Sequence, residues 1–287
     1  MPEPSGFGVA FLSKEVYNDR GKGGGSVRRE GQIAVFDSGL GGISVLRELI
    51  RQMPQENYLY FGDSLHAPYG SRPTQEIRDL TFAAAEKLFA QDTKALVIAC
   101  NTATSAAAEE LRAAYPDRII IGIEPALKLA VSRHPGGRIL VMATEATLRE
   151  RKFALLMEHF TADCEIIKCP CPGLVEFVER GELSGPAVET SLRMYLKDCT
   201  AVPPDAAVLG CTHYPFLRAT IRKVLGAQTE ILDGADGTAR ETRRRLSEAG
   251  LLRGEGDGSV KITNSRASAE LLKRSEALLR AKTLDEI

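Results

Sequence analysis

Two stretches of this chain end in the same way. Ala95-Leu96-Val97-Ile98-Ala99 runs into Cys100-Asn101-Thr102, and Ala206-Ala207-Val208-Leu209-Gly210 runs into Cys211-Thr212-His213. Each is a short apolar run, then a cysteine, then hydrogen-bonding residues that lead into a helical pattern. Two thiols around one carbon suit a reaction that takes a proton from one face and returns one to the other. A lone cysteine after a strand is ordinarily a small buried apolar residue. Asn101, Thr102, Thr212 and His213 weigh against that here, because polar side chains are costly to bury unpaired. His213 stands two positions from Cys211. An imidazole near ~6.5 can exchange a proton with a thiol near ~8.5 and draw it toward thiolate. The alternative is an ordinary hydrogen-bonded core histidine.

Other polar turns accompany these. Asp37-Ser38-Gly39-Leu40-Gly41-Gly42 joins an apolar run to a helical pattern. Backbone N–H groups exposed at a helix start favour a carboxylate or phosphate. The pattern is not G-x-G-x-x-G, so a dinucleotide is poorly supported; an N-cap with a tight turn is the simpler reading. Gly62-Asp63-Ser64 precedes Pro68-Tyr69-Gly70, a turn that constrains a phenol or merely marks the surface. The six cysteines are Cys100, Cys164, Cys169, Cys171, Cys199 and Cys211. None has C-x2-C spacing, so no metal site is expected.

The elements that must position these turns alternate along the chain. Apolar runs at 32–36, 57–61, 94–99, 118–123, 138–143, 164–167, 206–210, 229–232 and 259–262 are expected strands. Between them lie helix-period segments such as 42–52, 75–90 and 147–160. Fully apolar strands between helices indicate parallel sheets covered on both faces, the α/β class. A repeat is visible as well. The run beginning at 32 recurs at 138, 106 positions on, and the Cys100 turn recurs at Cys211, 111 positions on. The expected fold is two pseudo-symmetric three-layer α/β lobes with mainly parallel sheets. The polar turns would stand at the C-terminal strand ends, and the site in the cleft between lobes. Residues 31–126 and 237–287 are assigned to the first lobe and 127–236 to the second. Residues 1–30, rich in glycine and polar side chains, are assigned to a flexible extension.

Composition sets outer limits. The 287 residues suffice for one large domain or two smaller ones. A 44% apolar and 26% charged content is ordinary for a globular chain, and a net charge of -1 gives no pull toward nucleic acid or anionic membrane. No apolar run nears the ~20 residues of a membrane span. With no export signal the cytoplasm is expected, where the cysteines stay as thiols.

Taken together, Asp37-Ser38-Gly39-Leu40-Gly41-Gly42, Pro68-Tyr69-Gly70, Cys100-Asn101-Thr102 and Gly210-Cys211-Thr212-His213-Tyr214-Pro215 resemble glutamate racemase. They follow that family's order and approximate spacing over about residues 31–280. The resemblance implies a cofactor-independent racemase that acts on glutamate and supplies D-glutamate for bacterial peptidoglycan, with a homodimer as one assembly the family adopts. It implies that Cys100 takes the α-proton of D-glutamate and Cys211 that of L-glutamate. Asp37 would assist the first thiol and His213 the second. Asp63 and Glu179 match two further acidic positions, the latter through the stretch Cys171 to Glu179. Asp37, Ser38, Pro68, Tyr69, Gly70, Asn101, Thr102, Thr144, Thr147, Thr212 and His213 match substrate-holding positions. The chain departs from the usual pattern at Ala143, where many members have Gly, and at Ser64, where Thr is frequent.

Three rivals stay open at this level. Aspartate racemase or a related two-cysteine isomerase would differ in pocket size. A cysteine hydrolase would use Cys211 as nucleophile and His213 as base, and would leave the second cysteine turn unexplained. An amino-acid-binding protein would bind without exchanging the α-proton.

Overall fold

The computed structural model describes residues 8–11, 28–124, 126–266 and 268–281. Its strands are β1 Gly8–Phe11, β2 Gln32–Asp37, β3 Asn57–Gly62, β4 Thr93–Ile98, β5 Ile119–Gly122, β6 Arg138–Ala143, β7 Glu165–Pro170, β8 Ala206–Leu209, β9 Glu230–Asp233 and β10 Ser259–Asn264. They form two parallel sheets, ordered β1-β10-β3-β2-β4-β5 and β7-β6-β8-β9. Without β1 and β10 the two orders are the same, each strand of the second sheet taking the place of the strand four earlier. This is the structural form of the repeat in the sequence.

In this strand order the chain reverses its direction of winding between β2 and β4, and again between β6 and β8. Ligands of open parallel sheets bind outside the carboxyl ends of the strands at such a switch point. Asp37 ends β2 and Cys100 follows β4; Thr144 follows β6 and Cys211 follows β8. The polar turns therefore flank the switch points of both sheets.

Side-chain alternation explains why these runs are strands covered on both sides. Ala34, Phe36, Leu59, Phe61, Leu96 and Ile98 pack on one face of the first sheet, beneath the helices Thr74–Phe89 and Asn101–Ala114. Ile33, Val35, Tyr58, Tyr60, Ala95 and Val97 pack on the other. That second face continues into Leu140, Met142, Ala207 and Leu209 of the second sheet, so one apolar core joins the lobes. Ile139, Val141, Ala206 and Val208 face a separate core with Leu127, Phe153 and Met157.

Two local features differ from the sequence-based expectations. The segment 1–30 was assigned as a flexible extension, yet Gly8–Phe11 is an edge strand in parallel register with β10. The edge of β10 presents unpaired backbone groups, and a short apolar stretch satisfies them. Residues 1–7 and 12–27 of that extension lie outside the described residues. The helix expected at 147–160 is two helices, Glu145–Arg149 and Arg151–Phe160, with Glu150 extended between them at ψ 126°. The strand 259–264 lies beside β3, and the helix Ala235–Glu248 packs on the helix Ile43–Gln52. Among the described residues no helix is long and apolar enough to cross a membrane.

Candidate active site

The two cysteine turns look alike in sequence but end their strands differently. Cys100 is the N-cap of the helix Asn101–Ala114, and its sulfur accepts from the Ala103 N–H at 3.5 Å. The same helix start favours negative charge on that sulfur. Cys211 caps no α-helix. A 3-10 turn, Tyr214–Leu217, follows it, and the helix begins only at Arg218. Pro215 explains the delay: its ring in an α-helix would clash with the carbonyl four residues back, which is that of Cys211.

Both thiols are buried. The Cys100 thiol donates to Ser38 Oγ at 3.4 Å. Burial, and then the charge of Asp37, push this thiol up to about 12, against the pull of Ser38 and the Ala103 N–H. Asp37 is itself fully buried. Its Oδ2 accepts from the Gly39 N–H at 2.9 Å and its Oδ1 from the Thr212 hydroxyl at 2.9 Å. Burial holds the Asp37 carboxyl above its ordinary range, although His213, Thr212 and the Gly39 N–H pull it down. A carboxyl so raised is better able to hold a proton.

Around Cys211 the partner is an imidazole. His213 Nδ1 lies 3.8 Å from Cys211 Sγ, and Nε2 lies 2.8 Å from Glu179 Oε1. Burial pulls the His213 pKa down, but hydrogen bonds to Cys211 and Glu179, together with their charges, outweigh it and lift it well above that of an ordinary histidine. Glu179 also accepts from the Leu40 N–H at 2.6 Å and from Ser64 Oγ at 3.2 Å. Burial raises its carboxyl, yet these partners bring it below the usual range, His213 foremost.

Two neutral groups complete the cleft. Thr102, Thr144 and Thr147 bring their hydroxyls together, each pair 3.0–3.1 Å apart, with Thr102 from the first lobe and the other two after β6. Asn101 is buried, and both its amide nitrogen and its oxygen lack a protein partner. Buried amides are rarely left so. Asn101 lines a small cavity of about 10 Å³ with Cys211, Thr212 and Ser44.

Asp63 stands apart from both sulfurs in its bonding. It accepts from Tyr69 OH at 2.7 Å and meets His66 Nδ1 at 2.9 Å. It thus fixes the Pro68-Tyr69-Gly70 turn, whose Ala67–Pro68 peptide is cis. Gly70 lies against Thr144: a Cβ there would be 2.6 Å from Thr144 Cβ. The sulfurs of Cys169 and Cys171 lie 3.6 Å apart in the same core as Cys211, and the charge of Cys211 acts on Cys171. Among the described residues no group of three or more His, Cys, Asp or Glu is arranged to hold a metal ion.

The family profile for Asp/Glu/hydantoin racemases matches residues 37–242, which include both cysteine turns and every polar turn just described. The chain belongs to this racemase family. It is similar to the glutamate racemase of Clostridium perfringens, 49% identical across 87% of this chain and 96% of that protein. Among solved structures it is similar to a glutamate racemase isoform of Bacillus anthracis, 30% identical with a TM-score of 0.81, covering 89% of this chain and 96% of that one. It is also similar to the glutamate racemase of Francisella tularensis in complex with D-glutamate, 27% identical with a TM-score of 0.77, covering 90% and 100%.

Within this racemase fold, several polar contacts were not legible in the motifs. Ser44 Oγ reaches Gly41 O at 2.8 Å and Thr212 O at 3.0 Å, tying the second cysteine turn to the first lobe. Tyr60 OH donates to Gly39 O at 2.6 Å. Ser64 and Asn264 bond to each other beside Glu179. Asn264 ends a strand of the sheet that carries Asp37 and Cys100, and a polar residue at a strand's carboxyl end was the one signal available for it.

Proposed function

We propose that this racemase interconverts L- and D-glutamate by a two-thiol proton transfer at the α-carbon, without a cofactor, and so supplies D-glutamate for peptidoglycan. One observation carries the reading: two buried thiols stand at equivalent switch points of two repeated sheets, each beside a different proton-holding group. Identity of 49% to a glutamate racemase supports the choice of substrate.

In the L-to-D direction the Cys211 thiolate removes the α-proton, and Cys100 delivers its proton to the opposite face. The products are D-glutamate, a Cys211 thiol and a Cys100 thiolate. His213 Nδ1 accepts the Cys211 proton and so regenerates the thiolate, and Asp37, with its raised pKa, returns a proton to Cys100. Exchange with water after product release takes the proton from His213 and restores one to Asp37. The carbanion-like transition state is stabilised by donors fixed in a buried site rather than by mobile water. Asn101 and the three threonine hydroxyls supply neutral partners for the substrate's carboxylates and ammonium. We place the reaction in the cytoplasm, in keeping with six free cysteines, and a homodimer is the assembly we infer from the family.

The test is incubation with L-glutamate in heavy water. Deuterium should enter the α-carbon as optical rotation decays. Cys100→Ala and Cys211→Ala should each abolish racemisation, and full activity in either would overturn the two-thiol mechanism. L-aspartate, run in parallel, should racemise far more slowly.

A further inference from the structure

A chain of hydrogen bonds reaches His213 from β10, the strand between β1 and β3 in the first sheet. Asn264, at the end of β10, donates from Nδ2 to Ser64 Oγ at 2.9 Å. Ser64 donates to Glu179 Oε2 at 3.2 Å. Glu179 Oε1 meets His213 Nε2 at 2.8 Å, and His213 Nδ1 lies 3.8 Å from Cys211 Sγ. The adjacent Ser265 hydroxyl accepts from the Leu65 N–H at 2.9 Å, so the end of β10 also holds the Ser64 loop in place.

The donors along this chain have a single direction. The Arg266 N–H donates to Asn264 Oδ1 at 2.9 Å, which fixes the amide so that its NH2 points at Ser64. Ser64 Oγ accepts that bond, and its one hydroxyl proton is then free to go to Glu179. An ionised carboxylate only accepts, and Glu179 Oε1 already takes the Leu40 N–H at 2.6 Å. His213 must therefore carry a proton on Nε2, and its Nδ1 is the nitrogen left to face the Cys211 thiol. Glu179 lies on the helix Leu174–Arg180 of the second lobe, whereas Leu40, Ser64 and Asn264 belong with the first sheet. The bond to Glu179 exists only while the lobes are together.

We infer that Ser64 and Asn264 are positioning residues that act through Glu179: they set the tautomer and basicity of His213, and so the protonation of Cys211, when the lobes close. This rests on the proposed role of His213 as the proton partner of Cys211. The charged and titratable groups that face His213 are Cys211 from its own turn, Glu179 from the helix Leu174–Arg180 and Asp37 from β2. Of these, Glu179 is the one that Ser64 holds.

The test combines an activity readout with one that does not need activity. The chain has four histidines, so the His213 ring signal in isotope-labelled enzyme can be assigned by its loss in His213→Asn and followed against pH by NMR. In S64A, and to a smaller extent in N264A, the His213 titration should move to lower pH. The acid limb of the kcat/KM profile, where His213 must be free to take the Cys211 proton, should move the same way, with kcat/KM reduced on the order of tenfold. S64T keeps the hydroxyl and should restore both. The inference is overturned if S64A titrates His213 as the wild type does, if activity falls with that titration unmoved, or if S64T behaves like S64A. Should S64A fail to fold, an unshifted titration in N264A overturns it equally. Absence of glutamate racemisation in the wild type would instead refute the substrate reading, and the titration would still decide the relay.

Discussion

Thr212 Oγ1 donates to Asp37 Oδ1 at 2.9 Å across the cleft, so the residue next to one thiol holds the carboxylate whose charge acts on the other. The two cysteine turns are thus linked through Asp37. Asp37 must answer both to Cys100 through its charge and to the second lobe through Thr212.

Asp37→Asn separates charge from proton transfer. Loss of a general acid–base group should lower kcat/KM by about 10² to 10⁴. The same change removes a negative charge that raises the Cys100 thiol, so its pKa should fall. Iodoacetamide labelling of the Cys100 peptide, followed by mass spectrometry at pH 9, should be faster in the variant than in the wild type. Equal labelling rates would mean that Asp37 does not govern this thiol.

His213→Asn should slow racemisation by a similar factor, but its directional signature is constrained. The enantiomers have equal free energy in water, so kcat/KM must be the same from either side in every variant. Unequal partners on the two thiols can show only as kcat and KM shifting together, and by different amounts for L- and D-glutamate. Progress curves from each enantiomer should show that pattern; identical shifts in both directions would count against separate roles for Asp37 and His213.

Gly41 leaves the room that the His213 imidazole and the Thr212 hydroxyl occupy. A Cβ there would lie 2.3 Å from His213 Nδ1 and 2.5 Å from Thr212 Oγ1. Gly41→Ala should displace the imidazole that faces Cys211, reducing kcat/KM by at least about 10² with a stability loss of only about 1–3 kcal/mol. Activity within a few-fold of wild type, measured alongside a melting curve, would show that the imidazole tolerates displacement.

The Glu179–His213 pair has a pH window that follows from the two shifts. The Glu179 carboxyl is lowered on folding, so its contribution is present above the unfolded value near ~4.3 and is lost as pH falls through the folded one. His213 is raised on folding, so its contribution is complete below ~6.5 and is lost as pH rises through the folded value. Melting temperatures of wild type and Glu179→Gln should diverge most between these limits and converge in acid. A constant difference from pH 3 to pH 9 would contradict the linkage.

Lys94 and Glu56 form a fully buried ion pair at 2.5 Å, well away from the thiols. Lys94 also donates to Arg29 O and Leu251 O, and Glu56 accepts from the Arg253 N–H. Lys94→Ala should destabilise by about 3–5 kcal/mol, because it strands a buried carboxylate. Replacing both, as in the double variant Glu56→Leu with Lys94→Met, should recover much of that loss in a denaturant titration. Equal instability in the single and double variants would assign the cost to packing rather than to charge.

Much of the architecture was readable from local pattern. The apolar runs marked nine strands within a few residues; strands covered on both faces, such as β4, are apolar for most of their length, while the edge strand β7 keeps a shorter apolar run. The tenth, Gly8–Phe11, went unrecognised: four residues carry no period, and only the open edge of β10 explains their pairing. The break at Glu150 was equally hidden, since both halves keep a helical pattern.

The motifs Asp37-Ser38, Cys100-Asn101-Thr102 and Cys211-Thr212-His213 by themselves determined which residues could move a proton and that there were two sets of them. A thiol, a carboxyl and an imidazole carry their chemistry in their own atoms, and a repeated order of turns carries the duplication. Only the tertiary structure decided how each is tuned. It set Cys100 on a helix start and denied Cys211 one through Pro215, buried Asp37, and brought Glu179, Ser64 and Asn264 to His213 from three distant segments. Burial, charge at a few ångströms and the direction of a hydrogen bond depend on positions in space, and these groups are far apart along the chain.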